Sequence, residues 1–481
     1  MTRRTQWLIT VAFLVVPLLL ALMLELPKWS ARREWEACKK EALARGEKWS
    51  LIEMVPPPVP EEENFAMTPL LKPLFEPGGD AYQFQLSERL KLNPGKDGKG
   101  TPPRLANWQL GRKGEDLAKW AEYLGRPDVL TALKPFEPEL AEIAQASRLP
   151  HSRFPLQYEK NIAMPIPMGS PMMNLGKLYA LRAQAELAGG QSDKALEDAQ
   201  VLFRLADTLK ENPLLILHLV RISIWSQAVQ VVWSGLEARQ WSATQLLLLQ
   251  KTLEKKTVLE AGEKALRSEQ VVFHDLIDDY ASGRNSAGFF RSIYGNRPLA
   301  PIQSASELVL GESLFYRNGV TLYHFYETYV WPSMDIKADR VFPRKAEDGD
   351  KEIRRHNEIF HFDAVILHAM GWSISGIVGR TAFTHTATDE AALACALERY
   401  YLEKGTYPDA LSELVPGWIA QVPHDVIDGK PLRYRRTADG RYLIYSIGWN
   451  ETDDGGKTVV QPNGSSVDLK DGDWVWSYEA R

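Results

Sequence analysis

The chain has 481 residues, 44% of them hydrophobic, enough to bury a sizeable core in roughly two to four domains. Its formal net charge of −5 provides no bulk attraction for nucleic acid. The two cysteines, Cys38 and Cys395, stand in no paired spacing, which argues against a disulfide framework and a cysteine zinc site.

Residues 1–6 are a short basic tail containing Arg3 and Arg4, expected in the cytoplasm. Trp7 to Leu24, WLITVAFLVVPLLLALML, is apolar apart from Thr10. At about 1.5 Å rise per residue it just crosses a hydrocarbon core of roughly 30 Å, so residues 7–26 read as a single transmembrane anchor. Trp7, Trp29 and Trp35 stand where aromatic side chains settle at lipid interfaces. A cleaved signal peptide is the rival; the apolar run is long for one and no small-x-small site follows it. Lys28, Arg32, Arg33, Lys39 and Lys40 outnumber the basic residues before the helix and on charge count favour a cytoplasmic body, a rule that long domains escape.

Residues 27–104 read as a juxtamembrane helix over 34–48 and then a stalk. Pro56, Pro57, Pro58 and Pro60 force an extended, semi-rigid chain. Gly78, Gly79 and NPGKDGKGTPP keep the following stretch loop-like, which puts the start of the folded body near Leu105. The body, residues 105–383, reads as an α-helical domain. Leu175 to Asn212 forms a helical hairpin broken at Gly189 and Gly190, one unit where a repeat array would need about three. Pro213 opens LLILHLVRISIWSQAVQVVWSGL, apolar on nearly every side, the pattern of a central buried helix. Ser242 and Gln245 form a capping box for the next helix. IAMPIPMGSPMM reads as an irregular connection in which Met either lines an exposed groove or fills gaps, with gap-filling the safer reading.

No phosphate-binding, dinucleotide-binding, nucleophile-elbow or HExxH motif occurs in the chain, and no small-molecule substrate is indicated. The stretch HNEIFHFDAVILH offers His356, Glu358, His361, Asp363 and His368. On a helix His361 and His368 share a face, while His356 and His361 diverge by about 140°. A metal-dependent envelope hydrolase using His356, His361 and His368 is the alternative enzymatic reading.

Residues 384–481 read as an α+β module. A helix from Asp389 carries a stripe of Leu393, Ala396, Leu397, Tyr400 and Tyr401 and stops at Gly405. Turns at Asp428-Gly429 and Asp439-Gly440 then frame a hairpin. The series ALERYYLEKGTYPDALSELV, VPHDVIDGKPLRYR, GRYLIYSIG, NETDDGG and DGDW resembles the soluble domain of type II secretion major pseudopilins. The remainder is similar to single-anchor bacterial envelope proteins. The pseudopilin resemblance implies a long helix on a small antiparallel sheet, an extracytoplasmic location at the inner membrane, and protein partners in the envelope. It also implies a calcium loop, with Asp453, Asp454, Asp471 and Asp473 as hard oxygen donors; Asn450 takes the place of an aspartate common in the family. The first helix departs from the family, having no glycine before a cleavage point and no glutamate near its start. Together these features suggest a mainly α, membrane-anchored, non-enzymatic protein.

Overall fold

The computed structural model describes residues 28–93, 103, 117–282, 300–358, 367, 373–462, 464 and 466–478. The tail and the expected anchor over 7–26 lie outside the described residues. The described chain is mainly α-helical, with small antiparallel sheets near its C-terminus.

Helix α1 covers residues 28–44 and is docked on the body. Trp35 is fully buried, and its Nε1 donates to Asp278 Oδ1 at 2.7 Å. Trp49 Nε1 donates to the other oxygen at 3.2 Å, and Lys39 Nζ pairs with that same oxygen at 3.1 Å. The next stretch corrects the expected stalk. Pro56 to Pro60 is free of helix and strand, as the prolines dictate, but the chain around it is packed: Phe65, Ala66 and Leu71 are buried in the core. Phe65 N donates to His151 O at 2.9 Å, and His151 N donates to Glu63 O at 3.2 Å. Gly78 and Gly79 begin a helix, Gly79–Arg89, where a loop was expected. The folded body therefore starts well before Leu105.

The body is built from α2 (Glu137–Ala146), α3 (Gly169–Ala188), α4 (Ser192–Asp207), α5 (Leu215–Glu237), α6 (Ala243–Leu253), α7 (Val258–Ala281) and α8 (Ala300–Phe325). The expected hairpin is α3 and α4. The expected central helix is α5, the one described helix long and apolar enough to cross a membrane; it is mostly buried in the protein. Each fully buried Leu, Ile or Val contributes about 1.5–3 kcal/mol relative to an exposed one, and α5 buries such residues all round. Its one guanidinium, Arg221, donates to Asp207 Oδ1 at 3.1 Å and to Thr257 O at 3.2 Å, while its buried Nε has no partner among the described residues. At its end Trp241 lies over Gly235, where a β-carbon would fall 2.2 Å from the indole. The capping box forms as expected: Ser242 N donates to Gln245 Oε1 at 2.8 Å, and Gln245 N donates to Ser242 Oγ at 3.3 Å.

After α8 come a π-helical turn, Tyr326–Val330, the small hairpin of β1 (Met334–Asp335) and β2 (Arg340–Val341), and α9 (Pro343–Glu358). Helix α10, Ile374–Lys404, corrects the expected start at Asp389. Its first half is rich in Gly, Ser and Thr, poor helix formers, yet nearly every residue from Ile374 to Glu398 is buried, and tertiary burial overrides local propensity. The boundary drawn at residue 384 thus falls inside one helix. Gly405 ends it in the left-handed region at φ 76°, with its N–H donating to Tyr401 O at 2.8 Å.

Three strands, β3 (Arg433–Arg436), β4 (Tyr442–Ser446) and β7 (Trp474–Trp476), make an antiparallel sheet in the order β3-β4-β7, and β5 (Thr458–Val460) and β6 (Val467–Gly472) make a separate ribbon. All five residues of β4 are buried. Ile444, Trp474 and Trp476 join the main core on one face. Leu443, Tyr445 and Val475 form a small second core on the other, closed by Gly456, whose backbone lies against Leu443 and Tyr445.

Candidate binding cleft

An open cleft of about 540 Å³ lies between the segment after Tyr158, the first half of α5, the middle of α7 and the start of α10. Its walls include Met164 and Ile166, Leu215, Ile216 and Leu219, Val272, and Ile377. Ile162 and Ile216 at its rim are 45% and 49% exposed, unusual for β-branched aliphatic side chains in a chain with so much core to fill. Four polar residues share the lining: Asn161, Glu269, Ser373 and Arg380.

Asn161 has φ 51° and ψ −127°, outside the regions an L-residue ordinarily adopts. Its Nδ2 donates to Val272 O at 2.9 Å, which ties the segment to α7, while its buried Oδ1 has no hydrogen-bond partner among the described residues. Arg380 is exposed, and its guanidinium makes no ion pair or hydrogen bond among the described residues. Helix α10 enters the cleft already capped. Asp350 on α9 accepts from Ile374 N at 2.7 Å and from Ser373 Oγ at 2.5 Å, and Ser373 Oγ accepts from Gly376 N at 3.0 Å.

On its other side α10 carries a polar seam. His385 Nε2 lies 3.3 Å from Asp339 Oδ1 and 3.5 Å from Asp389 Oδ2, aligned for a hydrogen bond with neither. Lys256 Nζ donates to Asp389 Oδ1 at 2.6 Å, and His424 Nε2 meets Asp339 O at 3.0 Å. Burial opposes ionisation of Asp339, but the neighbouring His385, Lys256 and His424 outweigh it and hold its pKa below the usual value. These contacts fasten the β1–β2 hairpin and the 424–429 loop to α10, the role of a structural clasp.

The four aspartates expected to hold calcium do not share one duty. Asp473 is buried; its Oδ1 accepts from Asp454 N at 3.2 Å and its Oδ2 from Gly456 N at 2.6 Å. Burial raises its pKa, with Asp453 and Asp454 adding to the effect, while the two backbone donors oppose it. Asp453 Oδ1 accepts from Gly455 N at 3.0 Å and from Tyr445 Oη at 3.3 Å. Asp454 Oδ2 accepts from Asn450 Nδ2 at 3.1 Å. Asp471 is exposed on β6. The structure brings Asp453, Asp454 and Asp473 to one loop and organises that loop through its own amides. Among the described residues no three His, Cys, Asp or Glu side chains converge as a metal-holding group.

The histidine alternative falls largely outside the described residues: His361, Asp363 and His368 are not described, and His356 and Glu358 are described only as backbone at the end of α9. Sequence reasoning did not single out Arg380, Ile216 or Asn161. The usable signal was the Met- and Pro-rich IAMPIPM, which supplies one wall of the cleft. No protein-family model, curated protein or solved structure matches the chain.

Proposed function

We propose that this chain is a membrane-anchored protein that acts by contact rather than by chemistry. One N-terminal helix holds it in a bacterial inner membrane, its bulk lies in the periplasm, and its helical body and pseudopilin-like module dock on other envelope proteins in a type II secretion or pilus-like assembly. The observation that carries this reading is the β5–β6 ribbon. Strand β5 pairs only with β6 among the described strands, and its Val459 and Val460 are 43% and 37% exposed. A strand with a free edge and outward apolar side chains is a template for pairing with another chain. Helix α10 supports the reading as well, because it belongs to body and module alike and holds the ribbon on a firm base.

The test is a photocrosslinking residue at Val459 or Val460 in the native membrane. Capture of a secretion or pilus component is the expected result, and capture of none sinks the assembly reading. A topology reporter fused after Arg481 tests the location separately, since activity on the cytoplasmic side would remove the envelope altogether.

A further inference from the structure

We propose that the cleft between α5, α7 and α10 binds a single-chain phospholipid with an anionic head group, of the lysophosphatidate type. The inference does not depend on the ribbon being a contact surface.

Shape and lining come first. A volume of about 540 Å³ falls within the range of roughly 300–1,000 Å³ typical of small-ligand sites. Nine of the fourteen described lining residues are Ile, Leu, Met or Val. Such a wall takes up hydrocarbon at about 0.8 kcal/mol per buried methylene, and Met164 lets it adapt to chain shape. A polypeptide in extended form needs a row of main-chain donors and acceptors, which this wall lacks.

The polar groups specify the head. Arg380 offers a planar guanidinium with no partner among the described residues, suited to bidentate pairing with phosphate. Asn161 Oδ1 is buried and unpartnered among the described residues, an acceptor that a ligand hydroxyl, such as that of a glycerol backbone, would satisfy once the atoms covering it shift. Its strained backbone at φ 51° is of the kind retained where surroundings impose it, often at ligand sites. At the start of α10 the Ile374 and Gly376 amides are already held by Asp350 and Ser373, and the group offered to the charge is Arg380.

The experiment uses the full chain in phosphatidylcholine nanodiscs and a lysophosphatidate bearing a diazirine in its acyl chain, with the labelled peptides mapped by mass spectrometry. Labelling is expected on residues 162–166 or 214–219. Arg380→Glu and Ile216→Glu, both at exposed positions, should each lower it by about tenfold, and Arg380→Lys should retain most of it. Circular dichroism of each variant shows whether the fold survives. The proposal is overturned by label confined to residues 7–24, by label unchanged in a folded Arg380→Glu variant, or by complete displacement with an equal concentration of palmitate, which would mean that the chain alone is read.

Discussion

The imidazole of His274 stacks on the indole of Trp49, with ring centroids 3.9 Å apart and planes 25° apart, and Trp35 closes the box edge-on at 5.3 Å. Neither nitrogen of His274 has a hydrogen-bond partner among the described residues, so the ring serves as a flat apolar filler that fastens α1 to α7.

That duty sets a pH dependence. Burial, reinforced by Lys39, lowers the His274 pKa from 6.5 to about 3, and burial with Arg221 lowers His218 to about 3. Both rings stay neutral in the fold while the unfolded chain takes up protons. Their contribution to stability is whole above about pH 6.5 and is lost progressively as pH falls toward about 3. The urea midpoint should fall on acidification over this window, and less steeply in His274→Phe, which keeps an aromatic filler and removes the titration. Equal slopes in the two proteins would refute the assignment.

Glu390 on α10 acts with the opposite sign. It is fully buried with both carboxylate oxygens unpartnered among the described residues, and burial first, then Asp425 and Asp389, raise its pKa well above 4.5. The fold keeps the proton that the unfolded chain releases, so this contribution is present below about pH 4.5 and is lost as pH rises. Glu390→Gln should stabilise the protein near neutral pH, on the order of 1–3 kcal/mol, and change little near pH 4. Denaturation at the two pH values checks both halves.

Asp425 has its charge buried at the base of the sheet. Ser446 Oγ donates to it at 2.8 Å, Ile427 N at 2.9 Å, Ile447 N at 3.0 Å and Arg433 Nη1 at 2.7 Å. Arg433→Ala leaves that charge without its cation and should cost about 3 kcal/mol. Arg433→Lys should recover part of the loss. Chemical denaturation followed by near-ultraviolet circular dichroism, which reports on Trp474 and Trp476, measures both.

The acidic loop leans on Asp473. Replacing it with Ala strips partners from Asp454 N and Gly456 N and should cost about 1–3 kcal/mol. Because the amides of Asp454, Gly455 and Gly456 already hold both oxygens of Asp473 and one of Asp453, millimolar calcium should leave the melting temperature of the full chain unchanged. A rise that magnesium does not reproduce would instead establish the calcium loop that the pseudopilin resemblance implies.

Features set by local chemistry were legible in the sequence: the Ser242–Gln245 capping box, the Gly405 helix stop, the turns at Gly429 and Gly440, and the largely apolar α5. Features set by a distant partner were not. Extended proline-rich chain looks the same whether it crosses solvent or lies against a protein, and distant partners decide between them: Phe65 pairs with His151 and Arg153 Nε donates to Pro56 O at 2.8 Å. Residues Ser373 to Thr386 are dominated by Gly, Ser, Thr and β-branched residues, with Arg380 and Ala382 the strong helix formers among them, and their helix exists because α5, α6, α7 and α9 bury it. The cleft shows the same division. Its Met- and Pro-rich wall could be noticed in advance, whereas Arg380 becomes distinctive only through its place beside aliphatic residues drawn from three other segments.

Helix α10 is 31 residues long, about 46 Å at 1.5 Å per residue, and sheet and helical core both pack along it: Trp474 lies against Phe383 and Tyr442 Oη donates to Ala394 O, while Trp225 of α5 donates to Thr388 and Arg399 donates to Gln250 of α6. It therefore behaves as a strut: a pull on the β5–β6 ribbon is carried along one continuous backbone into the body instead of being absorbed at a hinge. For the same reason the module has no clean point of excision, because a cut at residue 384 would sever the strut and expose the apolar flank it shares with α5 and α7.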